Sequence, residues 1–360
     1  MRKEIEEFLD ILNIPEDERD FVLGIQTDKL PEKYEKAREE LLRLGVVFEM
    51  YERLPEHFKP FAEFEEAKDW LENTKEFIRV EIPDGLGLTD PMPICCFTKA
   101  PTPGNHHINL RFGARSKATV VVGSTVPKIT GDSEIRSNME LNVGEEAEVN
   151  LVILNSFRKE TEVFPLVRGK IGHGAKINMT VVNLFNGNKH SSDYQLIVGD
   201  RVDVKLNVIS FSRNSDRVED SYKITLKGKK SHALLSIRGV SRDSSYQRHI
   251  AVIEADTESE KSEGIADTAG FLLQDESKFE VWPSLIVKND DIHLDHQAYV
   301  GHIPDETIEY LRSRGFTREG AMFLIVHSMI APLKSYLPPR FQDEIEKIAR
   351  LLVENKIPEI

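Results

Sequence analysis

The stretch from Gly199 to Gly239 reads GDRVDVKLNVISFSRNSDRVEDSYKITLKGKKSHALLSIRG, and it decides the fold of this chain. After Gly199, apolar residues alternate with polar ones at positions 202, 204, 206 and 208. After Gly228 the same phase carries small or apolar residues at positions 231, 233, 235 and 237. A period of two predicts strands that bury one face. The stretch therefore predicts two equivalent β-strands, each introduced by a glycine.

The same pattern repeats outward from this stretch, anchored at Gly113, Gly144, Gly172, Gly199 and Gly228, which lie 27 to 31 residues apart. Each anchor predicts inward side chains three, five, seven and nine residues later. These twenty positions are Ser116, Ala118, Val120, Val122, Ala147, Val149, Leu151, Ile153, Ala175, Ile177, Met179, Val181, Val202, Val204, Leu206, Val208, Ser231, Ala233, Leu235 and Ile237. A second alternating segment lies between anchors, and no helical period intervenes. Two strands and two turns per repeat favour a right-handed parallel β-helix, a mainly β single-stranded solenoid, over a β-sandwich.

The flanking segments divide the chain into four parts. Residues 1–80 are predicted as a helical segment, in which three apolar faces have helical spacing: Ile5, Phe8, Leu9 and Leu12; Tyr34, Ala37, Leu41 and Leu44 after Pro31; and Phe64, Ala67, Leu71 and Ile78. Residues 81–109 are rich in proline and glycine and read as an irregular connector with room for short strands. The β-helix is predicted for residues 110–302 and a helical domain for 303–360. Helices at both ends could cover the open ends of the solenoid.

Composition excludes several functional classes. The formal net charge of -14 argues against nucleic acid and anionic membranes as partners. No window approaches the roughly 20 apolar residues of a membrane span, and the N-terminus lacks a signal-peptide core, so a cytoplasmic location is expected. The two cysteines, Cys95 and Cys96, are adjacent, which rules out a disulfide framework and a four-thiolate site within one chain. The sequence does not determine whether either thiol contacts a metal.

The segment from Asp290 to His296 holds the densest group of residues that could carry chemistry. In strand geometry His296 shares a face with Ile292 and Leu294, so it is expected among apolar neighbours. A neutral imidazole there suits iron or zinc. The carboxylates of this segment would alternatively serve a β-helix carbohydrate-active enzyme. His106 and His107 lie in the connector, where exposure is the default, and no nucleotide, Rossmann or hydrolase motif supports an enzyme.

The segment Pro283–Ala321 reads PSLIVKNDDIHLDHQAYVGHIPDETIEYLRSRGFTREGA. It resembles the C-terminal signature of the SufB/SufD family, the scaffold proteins of the SUF iron–sulfur assembly system. The resemblance implies a parallel β-helix that pairs with a SufB-type paralogue or with itself. It also implies a SufC-type ABC ATPase bound by the C-terminal helices, with ATPase activity in that partner and none here. The residues expected at this dock are Tyr310, Leu311, Arg314, Phe316 and Phe323, beside the apolar run 321–326.

This sequence departs from the SufB-type pattern at the residues that would hold a cluster. Residue 297 is Gln297 rather than glutamate, residue 294 is Leu294 where some members have cysteine, and no cysteine follows Cys96. His296 matches the histidine on which SufD-type members rely. The resemblance therefore implies a SufD-like partner or an atypical archaeal or bacterial scaffold that pairs with itself. His296 is the candidate iron or cluster ligand, and the cargo is expected to be transient. A structural adaptor that lends no ligand is the alternative.

Overall fold

The computed structural model of this protein describes residues 39–51, 55, 74, 76–97, 104–125, 133–157, 161–186 and 188–356. They form a parallel β-solenoid of about seven turns, which confirms the predicted fold class. Successive strands alternate between two sheets, here called the even sheet and the odd sheet, and only β1 is antiparallel to its neighbour in the described part. The strands are β1 Val47–Tyr51, β2 Glu76–Ile82, β3 Met92–Phe97, β4 Gly104–Phe112, β5 Lys117–Thr125, β6 Ser133–Val143, β7 Glu148–Phe157, β8 Thr161–Ile171, β9 Lys176–Asn186, β10 Lys189–Val198, β11 Asp203–Ser212, β12 Arg217–Leu226, β13 His232–Ser241, β14 Tyr246–Ala255, β15 Ser262–Leu272, β16 Lys278–Val287 and β17 Ile292–His302.

The core between the sheets is the set of positions that the repeat predicted. In the odd sheet, Leu151 pairs with Met179, Met179 with Leu206, and Leu206 with Leu235. All twenty predicted inward side chains are buried. Equivalent residues of successive turns thus stack along the solenoid axis, and the hydrophobic core is continuous because each turn covers the one before it.

The anchoring glycines are required by close backbone contact. A Cβ on Gly228 would overlap the backbone of Gly199 and Asp200 in the turn beneath it. The left-handed backbone conformation instead lies two residues further on, at Arg201 (φ 54°) and Lys230 (φ 56°). Glycine at the anchors therefore lets adjacent turns approach closely. These positions do not require the positive φ that glycine also permits.

The sheets begin before the predicted boundary at residue 110. β2, β3 and β4 pair in register with later strands, so the segment predicted as an irregular connector contains full members of both sheets. Ile78, assigned above to a helical face, is buried in β2 instead, where it shares the inward face of the strand with Val80 and Ile82. This strand has only seven residues, so its period of two is a weak signal in the sequence. Residues 39–43 are helical, whereas the faces predicted around Ile5 and around residues 64–71, and the part of the second face before residue 39, lie outside the described residues.

Three helices follow the last strand: α1 Asp305–Ser313, α2 Arg318–Lys334 and α3 Pro339–Val353. They pack against the outer face of the odd sheet, where their apolar side chains form one cluster with Val152, Val182, Ile209 and Val240. The expectation that the C-terminal helices cover the open end of the solenoid is therefore wrong, because the apolar outer face of the odd sheet is what they bury. None of the helices in the described ranges is long and apolar enough to cross a membrane.

Candidate functional site

The last turn of the solenoid, here called the terminal rung, consists of β16 and β17. Each strand lies at the edge of its sheet. The inward row of β17 continues the buried row of β15, because Ala266 pairs with His296 and Gly270 with Val300. Ala266 is fully buried, whereas His296 and Val300 are exposed. The terminal rung therefore presents, at its open end, side chains that every earlier turn keeps inside.

His296 lies in the middle of this exposed row. It shares the inward face of β17 with Ile292 and Leu294, as the alternation predicted, and both of these are only half-buried. His296 itself is exposed, because no further turn in the described part of the chain covers the rung. Its backbone N–H donates to the Asp295 carboxylate at 2.7 Å, which leaves the imidazole on the opposite face of the strand.

The ligand supply near His296 is limited. Within the described residues, no group of three or more histidine, cysteine or carboxylate side chains is placed to hold a metal ion. His296 can therefore offer one imidazole nitrogen, and a complete iron or cluster site would need further ligands in addition to it. Cys95 and Cys96 lie in β3, at the other end of the odd sheet from β17.

The carboxylates next to His296 lie either in the turn before β17 or on the outer face of that strand. Asp290 and Asp291 lie in the turn between β16 and β17 and are exposed. The backbone carbonyl of Asp291 accepts a hydrogen bond from Lys261 N at 2.6 Å, continuing the stacked turns of the solenoid. Asp295 projects from the outer face of β17, opposite His296. The three acids are thus not brought onto one surface with the imidazole.

Large apolar side chains are exposed on both strands of the terminal rung. Five of them are exposed by between 38% and 55% of their surface: Trp282, Ile286, Val287, Tyr299 and Val300. Val287 and Val300 belong to the inward rows, and the other three lie on the outer faces of the two sheets. Exposed apolar groups at free strand edges are typical of an interaction surface.

The residues predicted for an ATPase dock divide into two groups. Tyr310 and Phe316 are 58% and 44% exposed, and the Arg314 guanidinium stacks 5.2 Å from the Tyr310 ring centre. Leu311 is partly buried, and Phe323 is only 7% exposed beneath the Arg350 guanidinium. Phe323 is therefore a core residue of the helical layer and does not belong to the exposed surface of the predicted dock.

A cluster of polar residues inside the solenoid was missed by the sequence reading. Asp220 is buried and accepts hydrogen bonds from the side chains of Ser192 (2.6 Å), Tyr222 (3.1 Å) and Asn183 (3.2 Å). His190 Nε2 and His249 Nδ1 lie 3.4 and 3.6 Å from its oxygens. Burial lowers the pKa of His249 to about 4 and also lowers the pKa of His190. Both imidazoles are thus neutral near pH 7. The available signal was polar residues at the inward phase of β10, β12 and β14.

His106 and His107 are also buried, which corrects the expectation that they are exposed. Burial lowers the pKa of His106 to about 4 and that of His107 to about 3. His106 Nε2 lies 2.7 Å from Ser137 Oγ, and the His107 ring lies 6.0 Å from that of Phe77. Both histidines belong to β4 and contribute to the structure of the sheet rather than to a surface site.

Comparison with known proteins shows the family to which the chain belongs. The family described as "SUF system FeS cluster assembly, SufBD core domain" matches residues 97–329, well over half of the chain. The chain belongs to the SufBD family. The matched SufBD core includes β4 through β17, α1 and most of α2, so the terminal rung lies inside it.

Individual SufBD relatives match almost the whole chain. It is 26% identical to an iron–sulfur cluster assembly SufBD family protein of Pyrococcus horikoshii, over 97% of this chain and 81% of the relative. SufBD family proteins of Staphylococcus haemolyticus and Staphylococcus aureus are each 22% identical over 99% of this chain and 79% of their own length. The SufBD likeness therefore extends beyond the core domain.

Proposed function

We propose that this chain is a cytoplasmic, non-catalytic scaffold component of SUF iron–sulfur cluster assembly. In this proposal it holds iron or a nascent cluster as transient cargo at the terminal rung. The observation that carries the proposal is the row of inward-facing side chains, with His296 at its centre, that the last turn leaves exposed. SufBD family membership supports the biological system.

The proposed pairing uses the free edges of β16 and β17. An exposed edge strand offers unpaired N–H and C=O groups that another strand can satisfy. The inward apolar side chains of the terminal rung, among them Val287 and Val300, would then be removed from water in the same contact. The partner is a second copy of this chain or a SufB-type paralogue, and either would extend the two sheets across the interface.

His296 would contribute one neutral imidazole to cargo held between the two chains. A single nitrogen ligand does not complete a cluster site, so the paired chain would supply the remaining ligands. This division of ligands is consistent with Leu294 and Gln297, neither of which is a thiolate or carboxylate.

The proposed ATPase dock is the exposed end of the helical layer. Tyr310 and Phe316 offer aromatic surface, and Arg314 adds a positive charge beside them. Aromatic and arginine side chains dominate the binding energy of many protein interfaces. ATP hydrolysis would then be performed by the SufC-type partner.

Anaerobic reconstitution with iron and sulfide tests the ligand role. The His296→Ala variant is expected to lose most of the bound iron and the visible absorption that the wild type gains. His293→Ala is the matched control, because His293 is an exposed histidine on the opposite face of the same strand. If both variants retain wild-type iron and absorption, the ligand role is wrong and the chain is a structural adaptor.

A further inference from the structure

A row of polar residues lies buried beneath the C-terminal helices. On the outer face of the odd sheet, Thr180 pairs in register with Asn207 and Asn207 with Ser236. The accessible surface of Thr180 and Asn207 is zero, and that of Ser236 is 3%. Neither Thr180 Oγ1 nor either polar atom of the Asn207 carboxamide has a hydrogen-bond partner. When the helices pack over these groups, the groups lose their hydrogen bonds to water and form no hydrogen bonds within the protein.

The neighbouring residues show what this row interrupts. Val152 lies directly beside Thr180 in register, and Val182 and Ile209 lie on the same outer face. These three residues form one apolar cluster with the helices, so the polar row crosses an otherwise hydrophobic interface. The contact between helices and sheet is thereby weaker than its apolar area alone suggests.

Polar contacts hold the helical layer at two separate places. At the end of α3, Arg242 Nη1 donates to the carbonyls of Leu352 (2.9 Å) and Val353 (2.8 Å), where a cation also complements the helix dipole. At the turn between α2 and α3, Asn150 Nδ2 donates to the Tyr336 carbonyl at 3.1 Å. A solvent-open cleft lined by Asn150, Lys117 and Lys176 lies beside this second contact, so water reaches the edge of the interface.

We propose that α2 and α3 form a body that lifts from the odd sheet while the solenoid stays folded. Opening returns water to Thr180 and Asn207, which partly offsets the loss of apolar contact. The Arg242 contact and the Asn150 contact favour the closed state. This inference goes beyond the proposed function, and it holds whether or not an ATPase docks on these helices.

Hydrogen–deuterium exchange of the full chain tests the proposal. In the wild type, amides of α2 and α3 are expected to exchange through a local opening that leaves β7–β13 protected. Thr180→Val and Asn207→Leu are expected to slow exchange of the helices by roughly tenfold each, because each removes an unsatisfied polar group and keeps the number and branching of the side-chain heavy atoms. Arg242→Met is expected to speed that exchange by roughly tenfold, because two charge-assisted hydrogen bonds are lost.

Two variants serve as matched controls. Thr225→Val changes a half-buried threonine on the outer face of the even sheet, and Arg217→Met removes an arginine whose partner is Glu219 on the same sheet. Neither is expected to alter exchange of the helices. The proposal is overturned if α2 and α3 exchange only together with the strands. It is equally overturned if Thr180→Val and Asn207→Leu both speed exchange of the helices.

Discussion

At the scale of single residues, the anchoring glycines fix the distance between turns of the solenoid. A Cβ on Gly228 would meet backbone atoms of the previous turn, whereas one on Gly87 would meet nothing within 4 Å. Gly228→Ala is expected to lower the free energy of unfolding by about 2–3 kcal/mol, because backbone cannot move aside as a side chain can. Gly87→Ala should change it by less than about 0.5 kcal/mol. Chemical denaturation of both variants measures the difference, and equal effects would contradict the close-contact explanation.

The buried histidines make stability depend on pH. Burial holds the pKa of His106 and His249 at about 4 and that of His107 at about 3, below the ordinary value of 6.5. Between these values the unfolded chain binds more protons than the folded one, so stability present above pH 6.5 is lost as the pH falls toward 4. Each such histidine contributes a slope of up to about 1.4 kcal/mol per pH unit.

Denaturant midpoints measured from pH 7 to pH 4.5 test this dependence. His107→Leu is expected to reduce the slope by the contribution of one proton, whatever it does to the absolute stability. A slope for His107→Leu equal to that of the wild type would show that His107 titrates normally in the folded chain.

At the scale of secondary-structure elements, the proposed pairing depends on the edge strand β17. Val300 is 38% exposed on its inward face, and Ile265 is 39% exposed on the outer face of the neighbouring β15. Val300→Lys places a like charge from each copy at the proposed interface and is expected to weaken self-association at least about tenfold. Ile265→Lys adds the same charge away from the edge and should have little effect. Sedimentation velocity across a concentration series compares them, and equal association would place the interface elsewhere.

The element α1 and the loop after it carry the proposed dock. Tyr310→Ala and Phe316→Ala are each expected to weaken binding of a co-purified SufC-type ATPase by about 30-fold, the effect of losing an aromatic hot spot. Leu44→Ala removes a similarly exposed apolar side chain from the opposite end of the chain. Point variants are preferable to deletion of residues 303–360, because deletion would expose the apolar face of the odd sheet. Unchanged affinity in both aromatic variants would contradict the dock.

At the scale of the whole molecule, the sequence predicted most of the fold and only part of the site. The register of the solenoid followed from the repeat, because each turn buries the same phase of side chains. The start of the sheets at β2 did not follow, since a single alternating run of seven residues is a weak signal. The exposure of His296 and the burial of Phe323 depend on where the solenoid ends and where the helices pack. A local sequence pattern predicts neither the end of the solenoid nor the face on which the helices pack.

Ligation of iron or a cluster by the His296 imidazole links the residue, the strand edge and the proposed assembly. Pulsed electron paramagnetic resonance on the reduced, reconstituted protein detects magnetic coupling between a cluster and a coordinated nitrogen. We expect a histidine nitrogen coupling in the wild type and in His293→Ala, and its loss in His296→Ala. The same coupling in His296→Ala, or its absence from a cluster-loaded wild type, would show that His296 is not a ligand.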